Sequence, residues 1–406
     1  MRSVRLGDLA RFIRGVTFKP IDVVPAETEG AVRCMRTKNV QSSLDTSDVW
    51  SIDSGLVKRE EQYLRAGDLL ISSANSWNLV GKCSWIPEMG NPATFGGFVS
   101  VLRGDEALIQ KRYLYHWFVT SNTQATVRSF SRQTTNIANL DLKRCLELQV
   151  PIPSLAEQKR TAEVLDQVET LRVKRRKALN LLDDLAGAVF MESVGAALAD
   201  AGENSVPLSD VAAISSGITK GRKVPTGTLR KVPYLAVANV QDRRLDLSAV
   251  KEIEVSEAEI ARFSLREGDL LLTEGGDPDK LGRGTLWSEE LALCLHQNHV
   301  FKVRVSRPEL IDPVYLKWVV SSGYGKRYFL RVAKQTTGIA SINKTQLSAF
   351  PLPVVEFSAQ REFRRRVEAI EAQKSVHLAH LAALDELFTS LQKRAFTGRL
   401  WDHEAA

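Results

Sequence analysis

Long apolar runs, cysteines and catalytic motifs are scarce or missing in this sequence of 406 residues. No stretch of 18 or more apolar residues occurs, and the start MRSVRLGDLARF lacks the apolar core of a signal peptide. We therefore expect no membrane span and a cytoplasmic location. The cysteines are too far apart for a zinc ribbon or a disulfide framework, so we predict reduced, buried thiols at Cys34, Cys83, Cys145 and Cys294.

The motifs of a nucleotide-dependent enzyme or a methyltransferase are also missing. GGDPDKLGRG from Gly275 is rich in glycine but has no Gly-Lys-Ser/Thr, so it does not predict a phosphate-binding loop. NPATF from Asn91 lacks the second proline of a methyltransferase pocket, and FGGF from Phe95 lacks the spacing of a cofactor loop. We expect no catalytic residues in this chain.

Basic residues outnumber acidic ones, 55 to 48, which gives a net charge of +7. This balance permits a polyanionic partner such as nucleic acid, although many basic proteins bind none. The apolar and charged fractions, 44% and 25%, are typical of a folded globular protein, and the length is more than one hydrophobic core usually serves. Two or more compact units are therefore predicted.

The chain repeats itself at about half its length. RQTTNIANL from Arg132 returns as KQTTGIASI from Lys334, an offset of 334 − 132 = 202 positions, and VRLGDLARFIRGVT from Val4 returns as VPLSDVAAISSGIT from Val206 at the same offset. The blocks NVQ, GDLLIS and VPIP recur as NVQ, GDLLLT and FPLP with a drift of at most two residues. A nearly constant offset predicts an internal duplication.

One cluster of metal-ligand residue types breaks this repeat. Cys294, His296 and His299 lie close together, but at the offset of 202 their first-half counterparts are Pro92, Thr94 and Gly97. Because a zinc site also needs a fourth ligand and supporting hydrogen bonds, we predict no metal site.

Each half has a globular part and a helical part. Residues 1–153 and 205–353 mix short apolar runs with glycine, proline and a few helical stretches, which predicts an α/β or α+β fold. Residues 154–195 contain no proline and predict one long helix, followed by a linker at 196–204. A second long helix and a tail are predicted over 354–406.

The two predicted helices carry matching signals. Ser154 and Glu157 form a capping box, and we expect Ser358 to be a weaker cap of the second helix. Apolar residues recur at heptad spacing and predict that the helices pair with each other: Val168, Leu182 and Val189 with Leu165, Leu179 and Ala186, and Phe363, Ile370, Leu384 and Leu391 with Val367, Leu381 and Phe388. Polar residues interrupt both seams at Arg172 and Arg175, and at Lys374 and His377. We expect these to fix the register or face solvent or a partner rather than DNA.

An antiparallel helix pair has a geometrical consequence. Each helix follows a globular part, so antiparallel pairing would place the two parts at opposite ends, related by a pseudo-two-fold axis. B-DNA has local two-fold axes, so this arrangement suits reading two short sequences separated by an unread spacer. Because the halves have diverged, the two half-sites can differ.

With these features, the chain resembles the specificity subunits of type I restriction-modification systems. The QTT blocks, the PIP and PLP segments, the GDLL segments and the terminal RAFTGRL carry the resemblance, which covers essentially the whole chain. It implies two target recognition domains, each followed by a conserved helical region, with KQTTGIASI as framework at the junction. It also implies a non-catalytic chain without a cofactor. The expected partners are double-stranded DNA, two methylation subunits and, in a full enzyme, two restriction subunits, which use S-adenosylmethionine, ATP and Mg for N6-adenine methylation and cleavage.

Base-reading residues are expected where the halves differ, since the shared blocks form the framework. The first-domain candidates are Ser73, Asn75, Trp77, Asn78 and Lys82. The second-domain candidates are Glu274, Asp277, Lys280 and Arg283. We expect phosphate contacts from Lys220, Arg222 and Lys223.

Two alternatives remain open from the sequence. One is an orphan DNA-binding scaffold with the same architecture and no methyltransferase partner, and the other is a divergent nuclease or methylase. Co-purification of methylation subunits separates the first alternative, and absence of cutting or methylation by the purified chain separates the second.

Overall fold

A computed structural model describes residues 2–133, 137–200, 204–223, 227–336 and 338–401. The chain forms two compact units. Unit 1 comprises Met1–Lys177 and Leu378–Ala406, and unit 2 comprises Ala178–His377. Each unit therefore contains one globular part and one half of each long helix.

The two longest helices are α4 and α9. The helices, numbered along the chain, are α1 Lys111–Phe118, α2 Ser121–Ser129, α3 Leu142–Leu146, α4 Leu155–Ala199, α5 Glu257–Phe263, α6 Pro313–Ser321, α7 Gly323–Val332, α8 Lys344–Ser348 and α9 Phe357–Phe396. Among the described residues, no helix combines the length and the apolar character required to cross a bilayer.

The globular part of unit 1 is built from short strands. They are β1 Arg2–Arg5, β2 Ala10–Arg14, β3 Val23–Val24, β4 Ala31–Met35, β5 Trp50–Asp53, β6 Leu69–Ser72, β7 Ala74–Asn75, β8 Cys83–Trp85, β9 Ala93–Phe95, β10 Val99–Gly104, β11 Ser131–Gln133, β12 Ala138–Leu140 and β13 Gln149–Ile152. They form sheets in the orders β2-β10-β6-β8, β3-β5-β4-β9, β11-β12-β7 and β1-β13.

Unit 2 repeats most of this topology. Its strands are β14 Ser205–Pro207, β15 Ala212–Ser216, β16 Arg230–Leu235, β17 Val240–Gln241, β18 Arg244–Leu245, β19 Lys251–Val255, β20 Leu270–Thr273, β21 Gly275–Gly276, β22 Gly284–Leu286, β23 Leu295–His296, β24 Val300–Val305, β25 Lys334–Thr336, β26 Ile339–Ser341 and β27 Pro351–Pro353. Their sheet orders are β15-β24-β20-β22, β19-β16-β23, β21-β26-β25, β14-β27 and β17-β18. The mixed α/β fold with two repeated sheet-rich parts and two paired long helices confirms the predicted fold class.

The central four-stranded sheets of the two units are built alike. In unit 1, β10 pairs antiparallel with β2 and β6, and in unit 2, β24 pairs in the same way with β15 and β20. The GDLL segments supply β6 and β20, which are fully buried. The glycine before each strand has a positive φ, 92° at Gly67 and 83° at Gly268, a conformation that strains residues with a Cβ. This requirement explains the glycine in both blocks.

A second repeated glycine reflects close backbone packing. A Cβ on Gly15 would lie 2.2 Å from the carbonyl oxygen of Gly96, and a Cβ on Gly217 would lie 1.9 Å from that of His296. Both distances are far below van der Waals contact, so only glycine fits at these positions.

In unit 1, the first half of α4 packs antiparallel against the second half of α9. The buried residues of this contact are Leu165, Val168 and Phe388. Early in α4, Thr161 accepts a hydrogen bond from Trp401, which follows α9, at 3.3 Å. Later in α4, Arg172 Nε lies 2.6 Å from Asp385 Oδ1. Rising numbers in α4 thus meet falling numbers in α9, as the seam predicted.

In unit 2, the second half of α4 packs antiparallel against the first half of α9. The buried residues are Ala186, Val189, Phe190 and Val194 on α4 and Phe363, Val367 and Ile370 on α9. Lys374 Nζ lies 2.7 Å from Asp183 Oδ1, and Arg366 Nη2 lies 2.8 Å from Glu192 Oε2. Each fully buried side chain of the Val, Ile or Phe type contributes about 1.5–3 kcal/mol.

The polar interruptions of the seam take part in the helix pairing. The side chains of Arg172 and Lys374 are only 17% and 18% exposed, and each pairs with an acid on the opposite helix. Polar residues at such positions cost stability but favour one register over others. Arg172 and Lys374 therefore face the partner helix, and their role in setting the register stays a prediction.

The ends of the long helices differ in part from the sequence prediction. Ser154 caps α4 as predicted, since its N–H donates to Glu157 Oε2 at 3.0 Å and its Oγ accepts from Glu157 N at 3.3 Å. The helix then continues to Ala199, so residues 196–199, predicted as linker, are helical because Ala197 and Leu198 pack on the core of unit 2. The predicted cap at Ser358 is wrong, since α9 already begins at Phe357.

Matching hydrogen bonds tie each globular part to its long helix. Gln158 Oε1 accepts from Gln110 N, and Gln360 Oε1 accepts from Asp312 N, both at 2.9 Å. One tyrosine hydroxyl in each unit donates to the proline carbonyl just before the helix, Tyr113 to Pro151 at 2.8 Å and Tyr315 to Pro353 at 2.6 Å. The duplication therefore extends to individual buried side chains.

Candidate nucleic-acid interface

The same pattern of backbone hydrogen bonds holds the predicted base-reading loop in each unit. Ser73 N donates to the Phe98 carbonyl, and Glu274 N donates to the His299 carbonyl, both at 3.0 Å. The carbonyls of Ser73 and Glu274 in turn accept from Leu140 N at 2.8 Å and Ile342 N at 2.9 Å. In unit 1, these bonds attach the loop after β6 to the residue before β10 and to β12. In unit 2, they attach the loop after β20 to the residue before β24 and to the residue after β26.

Within the unit 1 loop, the five candidates fall into two groups. Ser73, Asn75 and Lys82 are half-buried and bonded inside the protein, Ser73 to Ser100, Asn75 to Ser72 and Lys82 to Gln41. Trp77 is 40% exposed, and Asn78 is also exposed. Of the five candidates, this pair therefore presents its side chains to solvent.

The unit 2 loop has more charge and more internal pairing. Glu274 Oε2 lies 2.6 Å from His299 Nδ1, and Asp277 pairs with Lys280. The hydrogen bond with the Lys280 ammonium, followed by its charge, holds the pKa of Asp277 below its usual value. Arg283 Nη1 lies 3.4 Å from Gln241 Oε1.

Lys82 and Arg283 occupy matching positions, because each contacts the glutamine of its unit's NVQ block. A cation at this position is thus common to both units, whereas the rest of the two loops differs. This matching favours a shared role for Lys82 and Arg283 rather than a sequence-selective one.

The three basic candidates near the start of unit 2 are placed differently from one another. Lys220 and Lys223 are exposed. Arg222 donates to both carboxylate oxygens of Glu259, at 2.6 and 2.9 Å, and to the Glu254 carbonyl at 2.9 Å. The Arg222 hydrogen bond lowers the pKa of Glu259 to about 2. The guanidinium of Arg222 is therefore held by the protein itself.

The Cys294, His296 and His299 side chains have separate surroundings. Burial raises the pKa of the Cys294 thiol to about 12, and its Sγ contacts the Leu295 carbonyl. His296 is buried and bonds the Val300 carbonyl at 2.8 Å. In the part of the chain that the structure describes, no cluster of three or more histidine, cysteine, aspartate or glutamate side chains could hold a metal ion.

Strand pairing corrects the alignment of this segment. Thr94 pairs with Cys34 in unit 1, and Leu295 pairs with Tyr234 in unit 2. Four residues after each of these, the Phe98 carbonyl accepts from Ser73 N, and the His299 carbonyl accepts from Glu274 N. The offset here is 299 − 98 = 201, so His299 corresponds to Phe98 and not to Gly97. A one-residue loop change explains the shift.

Several exposed aromatic side chains of unit 1 were not predicted as site residues. Phe98 is 66% exposed and lines an open pocket of about 440 Å³ together with Phe18, Trp50 and Arg36. The Arg36 guanidinium lies 3.7 Å from the centre of the Trp50 ring. Aligning the halves by strand pairs rather than by a fixed offset would have drawn attention to Phe98, because its equivalent in unit 2 is His299.

Comparison with known proteins agrees with this architecture. Residues 1–181 match the family model described as the type I restriction modification DNA specificity domain. The chain is 29% identical over 414 residues to the type I restriction enzyme EcoKI specificity subunit of Escherichia coli (strain K12), an alignment that covers 96% of this chain and 86% of the relative. It is 26% identical over 406 residues to the StySPI specificity subunit of Salmonella potsdam, with the same two coverages of 96% and 86%.

The fold also matches a solved structure along both chains. The crystal structure of the type I restriction-modification system S subunit from M. genitalium has a TM-score of 0.57 and 13% identity, and the match covers 97% of this chain and 96% of the other. The family model, the relatives that span both halves and the duplicated fold lead to one conclusion. The chain is a relative of the specificity subunits of type I restriction-modification systems, a non-catalytic family that provides DNA specificity: the family model matches residues 1–181, and the two curated subunits align over 96% of the chain.

Proposed function

We propose that this chain reads a bipartite DNA target with a fixed spacer, one half-site through residues 1–153 and the other through residues 205–353. The observation that carries this proposal is the repeated backbone pattern with different side chains at its matching positions, Ser73 and Phe98 in unit 1 against Glu274 and His299 in unit 2. Two readers with the same frame and different surfaces suit a target whose halves have different sequences.

The DNA-binding candidates, for bases and for phosphates, remain proposals, and the exposure of their side chains ranks them. Trp77 and Asn78 in unit 1, and Lys220 and Lys223 in unit 2, extend into solvent and need no internal bond broken to reach DNA. Ser73, Asn75, Lys82, Arg222, Glu274, Asp277, Lys280 and Arg283 would contact DNA only while keeping or exchanging intramolecular partners. We therefore expect the largest single effects on DNA binding from the first group.

The proposed protein partners are two methylation subunits, joined by two restriction subunits in a full enzyme. Each unit exposes large apolar side chains on its helix pair, at 46–58% of their surface: Leu171, Val173, Leu378 and Leu387 in unit 1, and Leu181, Leu185, Met191 and Val376 in unit 2. Exposed apolar side chains on paired helices are typical of protein interfaces, and a set of them on each unit suits one partner for each unit. S-adenosylmethionine, ATP and Mg would be bound by those partners.

We also propose that the long helices set the spacer and that the complex acts in the cytoplasm. The antiparallel contacts within each unit support the first point, since helices locked in register have a fixed length of about 1.5 Å per residue. The four cysteines are free and buried, which suits a reducing compartment.

The experiment that tests this function is a comparison of DNA methylation with and without the chain. The chain is expressed with its methylation subunits in a host that lacks them, and methylated adenines are mapped across the genome. The proposal predicts one bipartite motif, with two short read sequences and a constant unread spacer, that disappears when this gene is removed. A chain that co-purifies with no methylation subunit and leaves the map unchanged would support the orphan scaffold instead.

A further inference from the structure

Phe98 and His299 stand at the same position of two equivalent backbones. Each directly precedes the central strand of its unit, and each carbonyl accepts the same 3.0 Å hydrogen bond from the loop that carries the candidates. Phe98 is 66% exposed and the His299 side chain is 57% exposed. The backbone therefore offers one outward-pointing position in each unit, and the two side chains found there have opposite chemical character.

Side chains at two other matching backbone positions also differ in chemical character between the two units. Trp50 pairs with Cys34 in unit 1, and Lys251 pairs with Tyr234, its counterpart, in unit 2. Phe18 follows the bridge of Val16 with Gly96 by two residues, and Lys220 follows the bridge of Ile218 with Gln297 by two residues. At these two matching backbone positions, unit 1 thus carries aromatic rings and unit 2 carries lysines.

The unit 2 position is also organised for hydrogen bonding. His299 Nδ1 lies 2.6 Å from Glu274 Oε2, and Asn298 Nδ2 lies 3.2 Å from His299 Nε2. In the arrangement that satisfies both contacts, Nδ1 donates to the carboxylate and Nε2 accepts from the amide. The imidazole orients Glu274, whose carboxylate still has capacity to accept from an amino group.

Two observations select DNA as the occupant rather than a protein. At the unit 1 pocket, Arg36 and Lys38 share the single carboxylate of Asp48, so the rim keeps one positive charge. At the unit 2 position, Lys220 and Lys251 are exposed. Cations next to aromatic or amide-type groups suit a ligand that carries both phosphates and base edges.

We infer that Phe98 and His299 are specificity-determining residues, Phe98 through apolar contact with a thymine methyl group and His299 by orienting Glu274 towards the amino group of a cytosine or adenine. This inference rests on the proposed function and names the chemistry of its reading surface. In the major groove an apolar side chain distinguishes the thymine methyl, and a carboxylate accepts from an exocyclic amine. Neither residue was among the candidates derived from the sequence.

The test uses this chain assembled with its methylation subunits and the motif found by methylation mapping. Competition binding measures the preference for that motif over each single-base change. Phe98→Ala should reduce the preference about tenfold at one thymine-containing position of one half-site and leave the other half-site unchanged. Replacing that thymine by uracil, which lacks the methyl group, should weaken binding of the unaltered complex and add nothing for Phe98→Ala.

Exchange variants test both units at once. The double variant Ser73→Glu, Phe98→His should change the methylated bases of one half-site, and Glu274→Ser, His299→Phe should change those of the other. The matched control is Leu108→Ala, which removes a side chain 46% exposed beyond the opposite end of β10 and should leave the motif intact.

Each outcome decides the inference. A uniform loss of affinity at all positions, or unchanged preference at every letter, would overturn it while the bipartite motif of the unaltered chain upheld the proposed function. Absence of any bipartite motif in the unaltered complex would instead count against the function itself. If Phe98→Ala did not assemble, the uracil substitution would still decide, because it changes only the DNA: equal binding of uracil and thymine at every position would contradict the thymine contact.

Discussion

Unit 1 and unit 2 contain matching buried ion pairs but carry different exposed side chains at equivalent backbone positions. Arg103 Nη2 lies 2.7 Å from Asp68 Oδ2, and Arg304 Nη2 lies 2.6 Å from Asp269 Oδ2, on equivalent strands. Next to the loops, by contrast, the position that holds the Phe98 ring in unit 1 holds the His299 imidazole in unit 2. Backbone hydrogen bonds and buried ion pairs define the shape of the reader, so the exposed positions can vary without changing that shape.

The comparison also extends to the interior, where one exchange carries a titratable group. Phe95 and His296 are both fully buried and stand at matching positions of β9 and β23. Phenylalanine needs no hydrogen bond there, whereas the His296 ring bonds the Val300 carbonyl at 2.8 Å. The two units should therefore respond differently to acid, although their backbones match.

The largest expected effect comes from breaking the matched ion pairs. The Arg103 side chain is 10% exposed and Arg304 is 30% exposed, while both aspartates are almost fully buried. We expect Arg103→Ala to destabilise its unit by about 3–5 kcal/mol, because it leaves a buried carboxylate without its partner, and Arg304→Ala to cost less. Urea unfolding measures both.

The control for these variants is Arg5→Ala, which removes ion pairs with Asp8 and Glu147 whose side chains are all at least half exposed. Surface ion pairs of this kind contribute little to stability, so little change in the free energy of unfolding is expected. A loss for Arg304→Ala equal to or larger than that for Arg103→Ala would contradict the dependence on burial.

A somewhat smaller effect is expected from acid. Burial lowers the pKa of His296 from 6.5 to about 4 in the folded protein, so the unfolded chain takes up the proton first as the pH falls. The stabilising contribution is complete above pH 6.5 and is lost as the pH drops towards 4, by up to about 3 kcal/mol. His296→Phe, which installs the unit 1 residue, should flatten the fall in stability between pH 7 and pH 4.

Thermal or urea unfolding at several pH values checks this expectation, and only the slope with pH matters, since the substitution also changes packing. Burial also lowers the pKa of His116 in unit 1, so part of the acid sensitivity should remain in the variant. An unchanged slope would show that His296 does not titrate as its surroundings indicate.

The smallest expected effect concerns the tyrosines that join each globular part to its helix. Removing one hydroxyl leaves a proline carbonyl without its donor, which costs about 1 kcal/mol. Pro353 is buried and Pro151 is half-buried, so we expect Tyr315→Phe to lose about 1 kcal/mol and Tyr113→Phe about half of that. The free energies of unfolding of the two variants, measured side by side, test this order, and the reverse order would contradict it.

Much of the fold was predictable because the duplicated sequence marks it twice. The GDLL strands and the buried seam residues Leu165 and Phe388 follow from local patterns that appear in both halves, and the Ser154 cap follows from a capping box in the first half alone. A pattern that recurs at a constant offset separates framework from chance more sharply than any single match.

The interface was harder to predict because its residues are defined by contacts over long sequence distances. The Arg222 guanidinium is held by Glu259, 37 residues away, which composition and spacing do not reveal. Phe98 and His299 are recognised as equivalent positions only when a one-residue change in loop length is taken into account. The strand pairs reveal this change, and a fixed offset does not. Neither loop conformation nor the partners of charged side chains are encoded in a local pattern.

The most direct test of the account is to give the chain two copies of the same reader. Residues 4–153 are replaced by a second copy of residues 206–355, which match them at the offset of 202, and the complex with methylation subunits is used to map methylated adenines. The account predicts that the motif becomes an inverted repeat of the half-site read by unit 2, with an unread spacer between the copies. A motif in which the other half-site persisted, or in which both half-sites changed to new letters, would contradict the claim that each unit reads its own half of the target.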